Sequence, residues 1–232
     1  MIELNIVQKI AIWLVPVLLA ITVHEVAHGY VARRLGDSTA YMLGRLTLNP
    51  LKHIDPVGTI LVPAIMLLLP GGFIFGWAKP VPVNFSQLHN PRRDMAAVAA
   101  AGPGVNLLMA IGWAFLTRLG AELVKAHAPA FEPLLLMGVA GIYINILLMV
   151  LNLLPLPPLD GGRVAVGLLP RRAAWYLSRV EPYGFWILIG LLATGLLGWI
   201  LFPFIGLILK LVVPISAISQ TGFWQLLQIL TN

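Results

Sequence analysis

Cysteine is absent from the 232-residue chain, and charge is scarce: only 10% of residues are Asp, Glu, Lys or Arg. Without cysteine there is no disulfide framework, no thiol nucleophile and no thiolate metal site, while the redox compartment stays open. A soluble domain of this length carries about 25% charged residues. The shortage of charge therefore excludes an ordinary soluble enzyme, a disordered tail and a nucleic-acid module. Apolar residues fill the chain instead. At 59% hydrophobic and a mean hydropathy of +0.90, it reads as an integral membrane protein. A net charge of +6 could suit nucleic acid, but the cations sit in short loops between long apolar runs. That is the pattern of membrane orientation, and no nucleic-acid partner is expected.

The first nine residues are weakly basic and lead into an apolar run with no small-residue cleavage site, so no cleaved signal is expected. With no repeat, low-complexity tract or linker, 1–232 reads as a single membrane domain. Its catalytic core covers about 6–165 and a C-terminal helical hairpin about 184–219. Segments 10–31, 96–116 and 134–154 are each long enough to span as a helix. Segment 184–218 is too long for one span and divides near Pro203 into two. Segment 57–69 is short, broken by Pro63 and followed by Pro70-Gly71-Gly72; extended to 78 it is either a sixth span or a re-entrant loop. Alternating and β-branched residues predict short strands near 39–48. Pro80 and Pro82 force 79–83 to be extended. The tail at 223–230, aromatic and aliphatic with interspersed Gln, suits an interfacial segment. The fold class is all-α: a polytopic membrane helix bundle with five to six transmembrane segments.

Near the inner end of the first helix stands His24-Glu25-Val26-Ala27-His28. Histidines four apart share a helix face, so their imidazoles converge on one metal ion. The intervening Glu can act as general base on water at that ion. Two His and a Glu inside a membrane helix are costly unless they have a function. A hydrolytic zinc site needs a third protein ligand and an open position. Asp160, freed from helical geometry by Pro155, Pro157 and Pro158, is the favoured third ligand, closing the long helix that begins at 134. Its other reading is the N-cap of a helix starting near Gly161.

These residues resemble the site-2 protease family of intramembrane zinc metalloproteases. His24-Glu25-Val26-Ala27-His28, Ala101-Gly102-Pro103-Gly104-Val105-Asn106, Asn152-Leu153-Leu154-Pro155 and Leu159-Asp160-Gly161 follow the family's order. Asn49-Pro50, His53, Asp55-Pro56, Gly58-Thr59 and Gly76-Trp77-Ala78-Lys79-Pro80-Val81-Pro82-Val83-Asn84 are similar to its short bacterial and archaeal members, without the PDZ or CBS domain of larger relatives. The resemblance implies His24, His28 and Asp160 as ligands of one zinc ion per chain and Glu25 as catalytic base. It implies that Asn152 contacts the substrate backbone or the developing oxyanion. It also implies peptide-bond hydrolysis in or near transmembrane segments, the partners being a membrane protein or membrane-tethered peptide and the lipid bilayer. The family's substrates do not fix which protein is cut here, nor the oligomeric state.

Topology follows from parity. If His24, His28 and Asp160 share one zinc, an even number of crossings separates them. Segments 96–116 and 134–154 supply two, so 57–78 is expected to be re-entrant. On that arrangement eleven cations lie on the zinc side and three on the other, with Lys210 left out; a full span would give six against eight. The positive-inside rule prefers the first and makes the zinc side cytoplasmic. We therefore expect a multi-pass plasma-membrane protein whose active site opens toward the cytoplasm. From Arg33 back to His24 is about 14 Å along a helix, which sets the zinc below the membrane surface.

Other polar residues are weighed singly. His53 either borders the active site or is a structural loop histidine. Asn106 either faces the zinc and substrate or makes a helix–helix hydrogen bond. Asn145 reads as packing, and His89 and His127 as loop residues without a metal role. The extended 79–83 segment offers an edge to a substrate strand by β-addition or is a rigid turn. A metal transporter using the same cluster is the rival class, but its ligands would be strung across the bilayer rather than gathered near one face. A non-proteolytic scaffold is the third.

Overall fold

The computed structural model describes residues 4–62, 65, 76–126 and 128–231. Helix α1, Ile6–Arg34, begins with a capping box: Asn5 Oδ1 accepts from Gln8 N–H, and Gln8 Oε1 accepts from Asn5 N–H, both at 2.9 Å. Two of the N–H groups that a helix start leaves unpaired are thereby satisfied. Arg33 and Arg34 lie in its last turn, where cations complement the helix dipole. Gly36, at φ +114°, turns the chain away.

The expected strands near 39–48 do not form. Residues Thr39–Met42 make a one-turn helix, α2, because Asp37 Oδ1 accepts from both the N–H and the hydroxyl of Thr39. Such local side-chain bonding outcompetes a ladder that has no partner strand. Beyond it, Asp55 Oδ1 accepts from the Val57 and Gly58 amides and opens a π-helical turn, Pro56–Leu61. The residues at 63–64 and 66–75 lie outside the described set, so the re-entrant expectation falls largely there. Its two ends are described. Trp77 N–H donates to Gly58 O at 3.0 Å, Thr59 hydroxyl to Trp77 O at 2.8 Å, and Lys79 N–H to His53 O at 2.9 Å.

Helix α3, Pro91–Lys125, has Pro91 at its start and Asp94 accepting from the Asn90 amide. Its 35 residues extend about 52 Å at 1.5 Å each, more than the roughly 30 Å hydrocarbon layer. Helix α4, Glu132–Asn152, crosses it closely: Gly138 and Gly141 stand against Thr117 and Trp113, where a Cβ would fall 2.2 Å from the nearest atom of each. Small residues at such crossings let membrane helices approach.

Helix α4 ends at Asn152 rather than running on toward Asp160, since the prolines of the 153–159 loop cannot continue it. Asp160 opens the next helix, α5, Asp160–Leu168, in its first turn. The loop folds back on that start: a Cβ on Gly161 would lie 2.2 Å from Leu153 O. This turn aims Asp160 back toward α1.

After α6, Arg171–Ser178, the C-terminal hairpin is α7, Glu181–Ala193, and α8, Leu196–Val212. It divides at Gly195, φ +75°, not near Pro203, which sits inside α8. Membrane helices tolerate an interior proline when neighbours re-satisfy the freed carbonyl, whereas a left-handed glycine ends a helix directly. The tail expected at the interface is helical. It is helix α9, Gln220–Thr231, whose Phe223, Leu227 and Leu230 are buried in the main core.

Among the described residues, four helices are long and apolar enough to cross a membrane: Ile6–Arg34, Pro91–Lys125, Glu132–Asn152 and Leu196–Ser216; Glu181–Ala193 is apolar but shorter. Among the described residues the regular structure is helical, without strands.

Candidate metal centre

His24 and His28, on one face of α1, put their Nε2 atoms 3.0 Å apart. Asp160 Oδ2, arriving from the start of α5, lies 3.2 Å from the first and 3.3 Å from the second. All three residues are buried. Among the described residues this is the one group of three His, Cys, Asp or Glu placed to hold a metal ion.

The hydrogen bonds around the cluster decide what its inner atoms are. His28 Nδ1 lies 2.8 Å from Val98 O, and a carbonyl only accepts, so Nδ1 carries the proton. His24 Nδ1 faces Asn106 Oδ1, which likewise accepts. In the neutral rings both Nε2 atoms are then lone pairs, directed at each other and at Asp160 Oδ2. Three buried acceptors in mutual contact repel one another unless a cation lies between them. Zinc ligands at about 2.0–2.1 Å in a tetrahedron sit roughly 3.3 Å apart, close to the observed triangle. The donor set therefore fits zinc.

Gly102 of α3 completes the cradle. A Cβ there would lie 2.5 Å from both His24 Cε1 and His28 Nε2, so only glycine admits the two imidazoles. Pro103 follows inside the same helix.

Glu25, half-buried beside His24, is held from the opposite side. Its Oε2 accepts from Val81 N–H at 2.7 Å. Residues 79–83 belong to no helix, as expected, and they pass α1 at Gly29, where a Cβ would lie 2.8 Å from Val81 Cγ1. Three amides in and next to this strap are engaged: Lys79 with His53 O, Val81 with Glu25 Oε2 and Asn84 with Asp37 Oδ2. Pro80 and Pro82 have none to offer. Arg45 Nη2 donates to the carbonyls of Lys79 and Pro80 at 3.0 and 3.4 Å, fixing the strap from the other edge.

The remaining sequence-derived residues are placed as follows. Asn106 is fully buried; its Nδ2 donates to Asn145 Oδ1 at 2.9 Å and to Ala20 O at 3.4 Å. Asn106 thus bridges helices as the second of its two sequence readings has it, and it meets His24 at Nδ1, the ring nitrogen turned away from His28 and Asp160. His53 is buried, with Nε2 2.9 Å from Thr47 O. Asn152 closes α4 and donates from Nδ2 to Leu148 O at 2.9 Å; no hydrogen bond joins it to the cluster among those described. Sequence reasoning missed the Val81 contact to Glu25, although an amide alone between two prolines is a signal. Asn145, read from sequence as packing, is buried and bridges α4 to α3 through Asn106.

Comparison with known proteins adds an independent view. Residues 121–193 match the family described as Peptidase family M50. A relative in Bacillus subtilis (strain 168), named "Putative zinc metalloprotease YwhC", is 40% identical over 193 residues, covering 82% of this chain and 83% of the relative. Two relatives named "Putative zinc metalloprotease Rip2" are similar at lower identity. The one in Mycolicibacterium smegmatis is 34% identical, over 76% of this chain and 64% of its own length. The one in Mycobacterium tuberculosis (strain ATCC 25618 / H37Rv) is 32% identical, over 83% and 70%. No solved structure matches.

Proposed function

The chain belongs to peptidase family M50, the site-2 protease family of zinc metalloproteases, and from that premise we propose that it hydrolyses peptide bonds in or beside transmembrane segments of membrane-protein substrates. One observation carries the reading: two imidazole nitrogens and a carboxylate oxygen converge in a buried triangle beside Glu25, on a helix apolar enough to cross a membrane.

His24, His28 and Asp160 would hold one zinc ion. When bound, zinc supplies a Lewis acid that polarises a carbonyl and makes water nucleophilic at neutral pH. Glu25 takes the proton from the attacking water and returns it to the leaving amine. Val81 N–H holds the Glu25 carboxylate in place beside the ligands. Asn152 contacts the substrate backbone, while Asn106 and His53 serve by placing His24 and the 79–83 strap. A substrate helix must unwind before attack, because its carbonyls are tied in i to i−4 bonds.

In this reading 57–78 is re-entrant, supported by the three hydrogen bonds that tie 53–59 to 77–79. Helices α1, α3, α4, α7 and α8 then make five crossings within one membrane domain. The zinc side faces the cytoplasm of a plasma membrane, as the cation distribution favours.

The test is a comparison of membrane-derived peptide fragments in cells carrying the wild type or Glu25→Gln. Fragments that vanish in the variant are expected; an unchanged fragment set would overturn the proteolytic assignment.

A further inference from the structure

A line of hydrogen bonds runs from His24 into the bundle. His24 Nδ1 meets Asn106 Oδ1. Asn106 Nδ2 donates to Asn145 Oδ1 at 2.9 Å, and Asn145 Nδ2 donates to Gly141 O at 2.9 Å. The line joins α1, α3 and α4, and both asparagines have no exposed surface.

Its direction is fixed at the far end. Gly141 O is a backbone carbonyl and can only accept, so Asn145 must present its NH2 there and its Oδ1 to Asn106. Asn106 must then present its NH2 to Asn145, a choice reinforced by Ala20 O at 3.4 Å. That leaves Oδ1 for His24. An oxygen at this point accepts, so the proton sits on His24 Nδ1 and Nε2 is left bare toward His28 and Asp160. His28 reaches the same tautomer in a single step, through Val98 O.

We propose that Asn106 and Asn145 are positioning residues for the metal centre: a two-amide relay, anchored on Gly141 O, that sets the tautomer and ring orientation of His24 for metal binding. This rests on the zinc-centre reading above. A bridge whose only role is helix packing would not need a defined direction, nor would it end on a ligand. Partners that orient a metal-bound histidine usually contribute about 10–100-fold to metal affinity. Asn145 has the more telling position, since it contacts neither a ligand nor the strap. Removing it frees the Asn106 amide to rotate and offer His24 a donor instead of an acceptor.

Zinc affinity by chelator competition on the detergent-purified full chain tests the relay, using wild type, Asn106→Leu, Asn145→Ala and the double variant. Thr117→Val serves as control, because Thr117 is equally buried at the α3–α4 crossing but its hydroxyl donates to Trp113 O, outside the relay. Asn106→Leu is expected to weaken zinc about 10–100-fold and Asn145→Ala by a part of that. The double variant should be no weaker than Asn106→Leu, because the two act in series. Thr117→Val should match wild type. Unchanged affinity in Asn145→Ala, or losses that multiply in the double variant, would overturn the relay. The ¹⁵N shifts of labelled histidine in the metal-free protein separate the two readings and also cover an Asn106→Leu chain that fails to fold. Wild-type His24 is expected as the Nδ1–H tautomer and Asn145→Ala as a mixture; the same tautomer in both would overturn the relay. Failure of the wild type to bind zinc would instead overturn the metal-centre reading.

Discussion

At the scale of single residues, the centre depends as much on what is missing as on its ligands. Gly102 contributes no side chain, and the space where its Cβ would stand is filled by the edges of both imidazoles. Gly102→Ala is expected to push the two rings apart and weaken zinc by more than tenfold, measured by metal content after dialysis against a chelator. Retention of zinc at wild-type affinity would show that the rings can yield. The pairing of His24 with His28 was legible in sequence because a four-residue spacing on a helix is local geometry. Asp160 was legible through the prolines that stop the preceding helix, although those same prolines end α4 at Asn152 and leave Asp160 to begin α5. The pairing of Asn106 with Asn145 was not legible. It depends on how α3 and α4 cross, and that is set by glycines such as Gly141 acting against a residue far away in sequence.

At the scale of elements, the 79–83 strap joins the base to the loop system. Only one amide lies between Pro80 and Pro82, and it is bonded to Glu25. Val81→Pro removes that donor while keeping an extended backbone. A hydrogen bond to a charged group contributes about 1.5–3 kcal/mol, so turnover is expected to fall by roughly tenfold or more with zinc content unchanged. Val81→Ala, which keeps the amide, should lose much less. Equal losses in the two variants would place the effect in packing instead. The same bond modifies the β-addition expectation, because a substrate strand along this edge finds its N–H groups at 79, 81 and 84 already in use. Elsewhere in the chain, local competition explains what sequence patterning misjudged. Asp37 draws 39–42 into a helical turn, and Gly195 breaks the C-terminal hairpin where Pro203 does not. At the α3–α4 crossing, Gly141→Ala would set a Cβ against Trp113. A destabilisation of about 1–3 kcal/mol is expected from such overpacking, checked by thermal unfolding in detergent.

At the scale of the whole molecule, one core cluster runs from Ile12 in α1 to Leu230 in α9, so the C-terminal helices brace the same bundle that carries the ligands. The lack of cysteine makes the topology directly measurable, since any introduced thiol is the sole one. Met42→Cys and Gln87→Cys, both at exposed positions, are expected to react with an impermeant reagent from the cytoplasmic side, and Ala126→Cys from the other. Labelling of Met42→Cys and Gln87→Cys from opposite sides would mean that 57–78 crosses the membrane. The scarcity of charge has a related meaning. Two of the nine acids, Glu25 and Asp160, stand together at the metal centre, and the cation distribution is what the proposed orientation rests on. The central claim, that His24, His28 and Asp160 form a zinc site served by Glu25, is tested most directly by zinc per chain in the purified protein. One zinc is expected in the wild type and in Glu25→Gln, and close to none in Asp160→Ala. An Asp160→Ala chain that keeps its full zinc, or a wild type that holds none, would contradict it.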